Sequence, residues 1–250
     1  MAILTQFILR LSFGMSLGMA LTSPRQVTSG YYRNHLYVLL GLNVLATMVA
    51  LADRQRFDLA PPLVAAVLSY VGAVLWLYEK PRAGIAALLL LSAASLWGAY
   101  QATNWNRATY TAQTVLLALN PPSGGMVLGF TMAAMFLGHW YLNSPSMAIG
   151  PLERLILLLG ASVVVRAVVE AGGLVLYLQS SSPDSGQLAF LALRWLAGIA
   201  GALLLAVMAY RTLKIPNTQS ATGILYVCVI ATFLGELTSM LLNVQSSPPI

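Results

Sequence analysis

Long apolar stretches separated by short polar breaks run along the whole chain. A helix needs about 20 apolar residues to cross the hydrocarbon core of a bilayer, so each stretch of that length predicts a transmembrane helix. The pattern therefore predicts an all-α, polytopic membrane protein of about eight transmembrane helices. The predicted spans are residues 4–21, 36–52, 60–78, 83–100, 126–142, 155–178, 188–210 and 220–242.

The breaks are rich in Pro, Gly and charged residues, and they are too short to hold a soluble domain. The first span is as apolar as a signal peptide. Arg10 interrupts it and no basic cluster precedes it, which favours a true transmembrane helix. Residues 108–120 predict a short interfacial helix before the fifth span, and the break at 120–125 separates the two. We expect no proline in the middle of any span.

A Ser-Pro break followed by an arginine occurs twice along the chain. Arg33 lies nine residues after Pro24, and Arg154 lies nine residues after Pro145. Four helices per unit is an even number, so two such units share one orientation and are related by an axis along the membrane normal. This spacing predicts two tandem four-helix bundles within one membrane domain, and chance similarity between apolar segments is the alternative. The two halves are residues 1–121 and 122–250.

The composition agrees with a lipid environment. Of the 250 residues, 58% are hydrophobic and only 8% are charged, whereas a soluble domain is roughly 25% charged. The formal net charge of +6 lies mostly in short loops. We therefore expect the lipid bilayer, and no nucleic acid, as the partner of these charges.

The distribution of lysine and arginine predicts the topology. By the positive-inside rule, the odd-numbered loops are cytoplasmic and both termini are outside, as expected in a bacterial inner membrane. The basic residues of the odd loops are Arg25, Arg33, Lys80, Arg82, Arg154, Arg211 and Lys214, and those of the even loops are Arg54, Arg56 and Arg107.

Charged residues inside the spans are the best pointers to function, because each costs about 2.5–3.5 kcal/mol or more at the bilayer centre. The second half contains Arg166, Glu170, Arg194 and Glu236, and the first half contains only Arg10. At about 1.5 Å per residue, all five lie at similar depths in the outer part of the membrane. The four residues of the second half are predicted to form a polar cluster. Three interpretations of this cluster are open. It is an ion-pair network that fixes helix register, or a quinone, substrate or proton site, or a contact with a partner subunit.

A histidine flanked by aromatic residues lies near the cytoplasmic end of the fifth span. His139, Trp140 and Tyr141 are candidate cofactor-binding residues, because an imidazole can ligate haem or hydrogen-bond a quinone carbonyl. The alternative is an interfacial aromatic belt. His35 lies in the loop before the second span and is expected to face lipid headgroups.

Several kinds of chemistry have no sequence motif here. One cysteine and two histidines provide no zinc or iron–sulfur spacing, so no metal ligand is predicted. Walker, GxSxG, HExxH and Gly-rich dinucleotide motifs are absent from the sequence. No catalytic residue is therefore assigned, and the chain is not expected to act as a catalyst on its own.

Two tandem four-helix bundles resemble, in topology, haem A synthases and the quinol-interacting membrane anchors of molybdopterin oxidoreductases. The turn 235–237 is similar to part of the last helix of some such anchors. Haem A synthases carry paired histidines in each bundle, whereas this chain has one predicted intramembrane histidine, which argues against that activity. The leading hypothesis is a membrane subunit of an electron-transfer complex, with other membrane subunits as partners and haem or quinone as a candidate cofactor. A small-solute transporter or channel and a structural or assembly subunit are the alternatives.

Overall fold

The computed structural model describes residues 2–52, 58–103, 105, 110–144, 147–180, 182–215 and 217–245. All of the regular structure in these residues is helical, and eight helical segments are long and apolar enough to cross a membrane. The predicted all-α polytopic fold is confirmed, and each predicted span overlaps one of these segments. Arg54, Arg56, Arg107 and Pro145 lie outside the described residues.

The first six spans are α1 (Ala2–Ala20), α2 (Ser29–Ala52), α3 (Ala60–Leu77), α4 (Pro81–Gln101), α5 (Thr111–Asn143) and α6 (Gly150–Ser180). The seventh consists of α7 (Ser185–Leu193), a π-helical segment (Arg194–Gly201) and α8 (Ala202–Leu213), and the eighth is α9 (Thr218–Gln245). Local chemistry explains several of the helix starts. α4 begins with Pro81, whose missing N–H costs nothing at that position. Asp184 and Gln187 form a reciprocal capping box at the start of α7.

The fifth span differs from its prediction. α5 is one helix of 33 residues with Pro121 and Pro122 inside it. The predicted break at 120–125 is therefore wrong, and so is the expectation that no span holds an interior proline. Pro122 cannot bond the carbonyl four residues earlier, and the Tyr100 hydroxyl of α4 donates to that carbonyl, at Ala118, over 2.9 Å. The helix continues because a neighbouring span satisfies the exposed backbone group.

The helix contacts connect all eight spans, with an extensive contact between α1 and α5. α1 and α3 each contact both α2 and α4, while α5 and α8 each contact both α6 and α9. The predicted boundary between residues 121 and 122 falls inside α5, and the tandem duplication itself stays a proposal.

The junction between α1 and α5 depends on glycine. Gly14 packs directly on the backbone of Gly125, and Gly18 packs on Phe130 and Ala133. Residue numbers thus increase together along the contact, so the two helices run in the same direction. A Cβ atom at Gly14 would overlap the Gly125 carbonyl, so only glycine allows the backbones to approach this closely.

Candidate intramembrane charged site

The structure brings together the four charged residues of the second half. Arg166 and Glu170 lie on α6, Arg194 begins the π-helical segment and Glu236 lies on α9. Each is at most 5% exposed. Arg166 lies 2.8 Å from both Glu170 and Glu236, and Arg194 contacts Glu170. The charges that the sequence places at similar depth thus form a continuous chain of ion pairs.

Arg166 lies in the middle of these ion pairs, and all of its hydrogen-bond donors are used. Its Nε and Nη2 each donate to one oxygen of Glu236 over 2.8 Å. Nη1 donates to the Asn120 carbonyl and the Ser123 hydroxyl of α5, and Nη2 also donates to the Ser239 hydroxyl of α9. A guanidinium group has five N–H donors, and all five are used here. Arg166 ties α5, α6 and α9 together and has no donor left for a ligand.

Arg10 joins the site from the first half of the chain. It lies near the middle of α1, is 3% exposed, and interacts electrostatically with Arg166 and Glu236. Gly124 of α5 makes room for it: a Cβ there would lie 3.3 Å from Arg10 Nη1 and still closer to a carboxylate oxygen of Glu236. None of the ion pairs among the described residues includes Arg10. We call the five residues Arg10, Arg166, Glu170, Arg194 and Glu236 the charged cluster.

The charged cluster has more donors than acceptors. Among the described residues, Arg10 Nε and Nη1 and Arg194 Nη1 have no hydrogen-bond acceptor, whereas Arg194 Nη2 lies in the ion pair with Glu170. Two buried oxygens of the described residues that also lack a directed hydrogen bond are Asn120 Oδ1 and Glu170 Oε1, and the second lies 2.8 Å from Arg166 Nη2. Three guanidinium groups face two carboxylates, which leaves one formal positive charge in excess. Each unpartnered buried donor costs about 1–3 kcal/mol, so this arrangement favours an additional acceptor, such as an anion or ordered water.

Two helix irregularities meet at the charged cluster. In α5, Pro121 and Pro122 lack the N–H groups that would continue the backbone hydrogen bonds of the helix. The preceding residue, Asn120, accepts a hydrogen bond from Arg166 at its carbonyl. The π-helical segment of the seventh span begins at Arg194 itself. π-Helical turns are frequent at functional sites, and interrupted helices often form the binding sites of transporters.

A close glycine contact supports the π-helical segment. Gly198 lies so near α9 that a Cβ there would come within 2.5 Å of Gly235 Cα. Gly235 directly precedes Glu236. The contact therefore holds the segment that carries Arg194 against the part of α9 that carries Glu236.

The predicted cofactor-binding residues have separate surroundings. His139 is exposed, with Nδ1 3.3 Å from the Tyr226 hydroxyl, and Trp140 Nε1 donates to the Thr28 hydroxyl over 2.9 Å. Tyr141 is buried, and its hydroxyl donates to a carbonyl of the following loop. Successive side chains of a helix point in different directions, so the structure does not gather these three around one space. Their assignment to a cofactor stays a prediction.

The expectation for His35 is wrong. α2 begins at Ser29, earlier than predicted, which places His35 within the helix and leaves it 8% exposed. Its ring packs against Tyr31 and Phe136, with centroid distances of 4.5 Å in both cases. Nδ1 lies 2.5 Å from the Tyr31 carbonyl, a contact that requires a proton on Nδ1, and in the neutral ring Nε2 is then an acceptor.

Within the described residues, no group of three or more His, Cys, Asp or Glu side chains could hold a metal ion. Cys228 is buried and its Sγ lies 3.6 Å from the Ala202 carbonyl oxygen.

No family model, no curated protein and no solved structure matches the chain.

Proposed function

We propose that this polytopic membrane protein binds a small inorganic anion at the charged cluster and carries it across the membrane, as a small-solute transporter or channel. The observation that carries the proposal is that Arg10 Nε and Nη1 and Arg194 Nη1 are buried and have no acceptor among the residues that the structure describes. An anion there receives hydrogen bonds from groups that otherwise lack an acceptor, and it balances the excess positive charge. Charge-assisted hydrogen bonds of this kind are about twice as strong as neutral ones.

The place of the cluster in the fold supports transport. Arg10 and Arg166 lie near the middle of their helices, and the cluster lies where α1 meets the last four spans. Two helices are irregular at the same place. A purely structural network requires every intramembrane charge to be paired, whereas Arg10 has no ion pair among the described residues.

The packing favours a small ligand. A Cβ on Gly124, where Arg10 and Glu236 converge, would overlap a carboxylate oxygen of Glu236, so the helices pack tightly at this point. A quinone ring needs much more space than a halide ion. A quinone beside Gly124 would displace the packed helices much further than a halide ion at the donors of Arg10 and Arg194, and this favours the small anion.

An electron-transfer subunit is the second candidate, and His35 is the observation that favours it. Its Nδ1 faces a backbone carbonyl, which is how metal-ligating histidines are commonly oriented, and Nε2 remains an acceptor. In this candidate, His35 Nε2 ligates haem or accepts a hydrogen bond from a quinol hydroxyl, and the chain is one of several membrane subunits. The purified native material would then contain haem absorbance or extractable quinone, together with further chains.

Anion flux into proteoliposomes tests the first proposal. Vesicles with a chloride-sensitive dye inside are compared for the native protein, Arg10→Gln and Arg154→Gln, an exposed arginine of α6. We expect flux above that of empty vesicles for the native protein and the Arg154 variant, and at least a tenfold loss for Arg10→Gln. Equal elution volumes and unfolding temperatures establish that the variants are folded. Native flux no higher than that of empty vesicles, or an unchanged flux in Arg10→Gln, contradicts the proposal.

A further inference from the structure

A groove lies far from the charged cluster, on the side of the odd-numbered loops. It consists of two adjoining cavities of about 430 and 560 Å³, which share Pro24, Arg25 and Pro81 in their walls. The larger cavity is completed by Arg82 and Ile85 of α4. The loop after α1 and the first turns of α4 thus form one surface, which we call the Pro-Arg groove.

The walls of the Pro-Arg groove combine cations with apolar surface. Arg25 and Arg82 are both exposed, and neither takes part in an ion pair among the described residues. Of the described residues that line the two cavities, Glu79 in the smaller one is the single acidic residue. The two prolines and Ile85 provide apolar surface in the wall of the larger cavity.

The apolar surface continues along α4 into the membrane. Ile85 and Leu89 are four residues apart and lie on the same helix face, directly beyond Arg82. Leu89 is 49% exposed, on the outer surface of the helix bundle. An acyl chain can follow this stripe while its headgroup stays at the arginines.

We propose that the Pro-Arg groove binds an anionic phospholipid, with the phosphate between Arg25 and Arg82 and an acyl chain along Ile85 and Leu89. A guanidinium group matches the geometry of a phosphate group with two parallel hydrogen bonds. A zwitterionic lipid carries its own cation and gains less from two arginines. This inference is independent of the proposed anion transport, because the groove and the charged cluster share no residue.

Native mass spectrometry in detergent tests the inference. The native protein is titrated with phosphatidylglycerol and, separately, with phosphatidylcholine of the same chain length. We compare Arg25→Gln, Arg82→Gln and their double variant with the double variant Arg154→Gln/Arg211→Gln, which removes two exposed arginines outside the groove. An arginine near a membrane surface contributes about fivefold to anionic lipid affinity, so we expect about 25-fold weaker phosphatidylglycerol binding in the groove double variant. Phosphatidylcholine binding stays unchanged.

Three results overturn the inference. The groove double variant binds phosphatidylglycerol as tightly as the native protein, or the control double variant loses as much affinity, which indicates a diffuse surface charge. Alternatively, inorganic phosphate displaces the lipid at equal concentration, which indicates a site for free phosphate. Halide flux measured on the same variants separates the two proposals, since a folded groove variant retains flux.

Discussion

At the scale of single residues, the arginines of the charged cluster differ in how fully they are bonded. Arg166 uses all five donors on two carboxylate oxygens, two hydroxyl groups and one carbonyl. Two nitrogens of Arg10 have no hydrogen-bond acceptor in the described part of the chain. We infer that Arg166 holds the helices in place and that Arg10 provides the excess charge for a ligand.

Loss of Arg166 is therefore expected to destabilise the protein strongly. Arg166→Gln leaves Glu236 without its bidentate partner in a buried place, and breaking a buried ion pair from one side costs about 3–5 kcal/mol. Arg166→Lys restores only part of the lost stability, since lysine has three donors and lacks the planar guanidinium group that binds a carboxylate with two hydrogen bonds. Unfolding in mixed micelles measures the effect, with Arg154→Gln, on the same helix but exposed, as the control. Equal stability of Arg166→Gln and the control contradicts the assignment.

At the scale of elements, α5 continues through two prolines because α4 satisfies a freed carbonyl. In the native protein, Tyr100→Phe removes the partner of the Ala118 carbonyl and should cost about 1 kcal/mol. In a Pro122→Ala background, the new N–H bonds that carbonyl, so the same change should cost almost nothing. A double-mutant cycle of unfolding free energies measures the difference. A coupling energy of zero shows that the tyrosine does not compensate for the proline.

The α1–α5 junction provides a second test at this scale. Gly14→Ala forces the two helices apart, because the new Cβ overlaps the Gly125 carbonyl, and overpacking typically costs about 1–3 kcal/mol. Gly160→Ala in α6 is the control, since a Cβ there meets nothing within 4 Å. We expect a lower unfolding temperature for the first variant and an unchanged or slightly higher one for the second. Equal temperatures mean that the junction is looser than described.

At the scale of the whole molecule, the sequence predicts most of the fold, because apolar length alone determines whether a helix can span the membrane. It does not predict the helix through Pro121 and Pro122, since the compensating hydroxyl is on another span. It misplaces His35 because the polar start of α2 has the composition of a loop. Counting residues from the ends of the spans predicts that the charges of the cluster lie at similar depths in the membrane. The proximity of Arg10 to the other charges, however, depends on the glycine contacts between α1 and α5. Such contacts have no signal in hydrophobic periodicity.

The orientation in the membrane is a further prediction for the whole molecule. In a Cys228→Ala background, Asp184→Cys lies between the sixth and seventh spans and Lys214→Cys lies between the seventh and eighth. The positive-inside rule places the first of these outside the cell and the second in the cytoplasm. We expect a membrane-impermeant maleimide to label Asp184→Cys in intact cells and Lys214→Cys only after lysis. The reverse labelling contradicts the predicted topology.

The central claim is that the charged cluster holds a small anion, and bromide diffraction tests it most directly. Crystals grown in bromide are measured at the bromine absorption edge, for the native protein and for Arg10→Gln. We predict an anomalous peak within hydrogen-bonding distance of Arg10 and Arg194 in the native protein and no peak in the variant. No bromide in the native cluster, with Arg10 bonded directly to Glu236 or to water alone, would contradict the account.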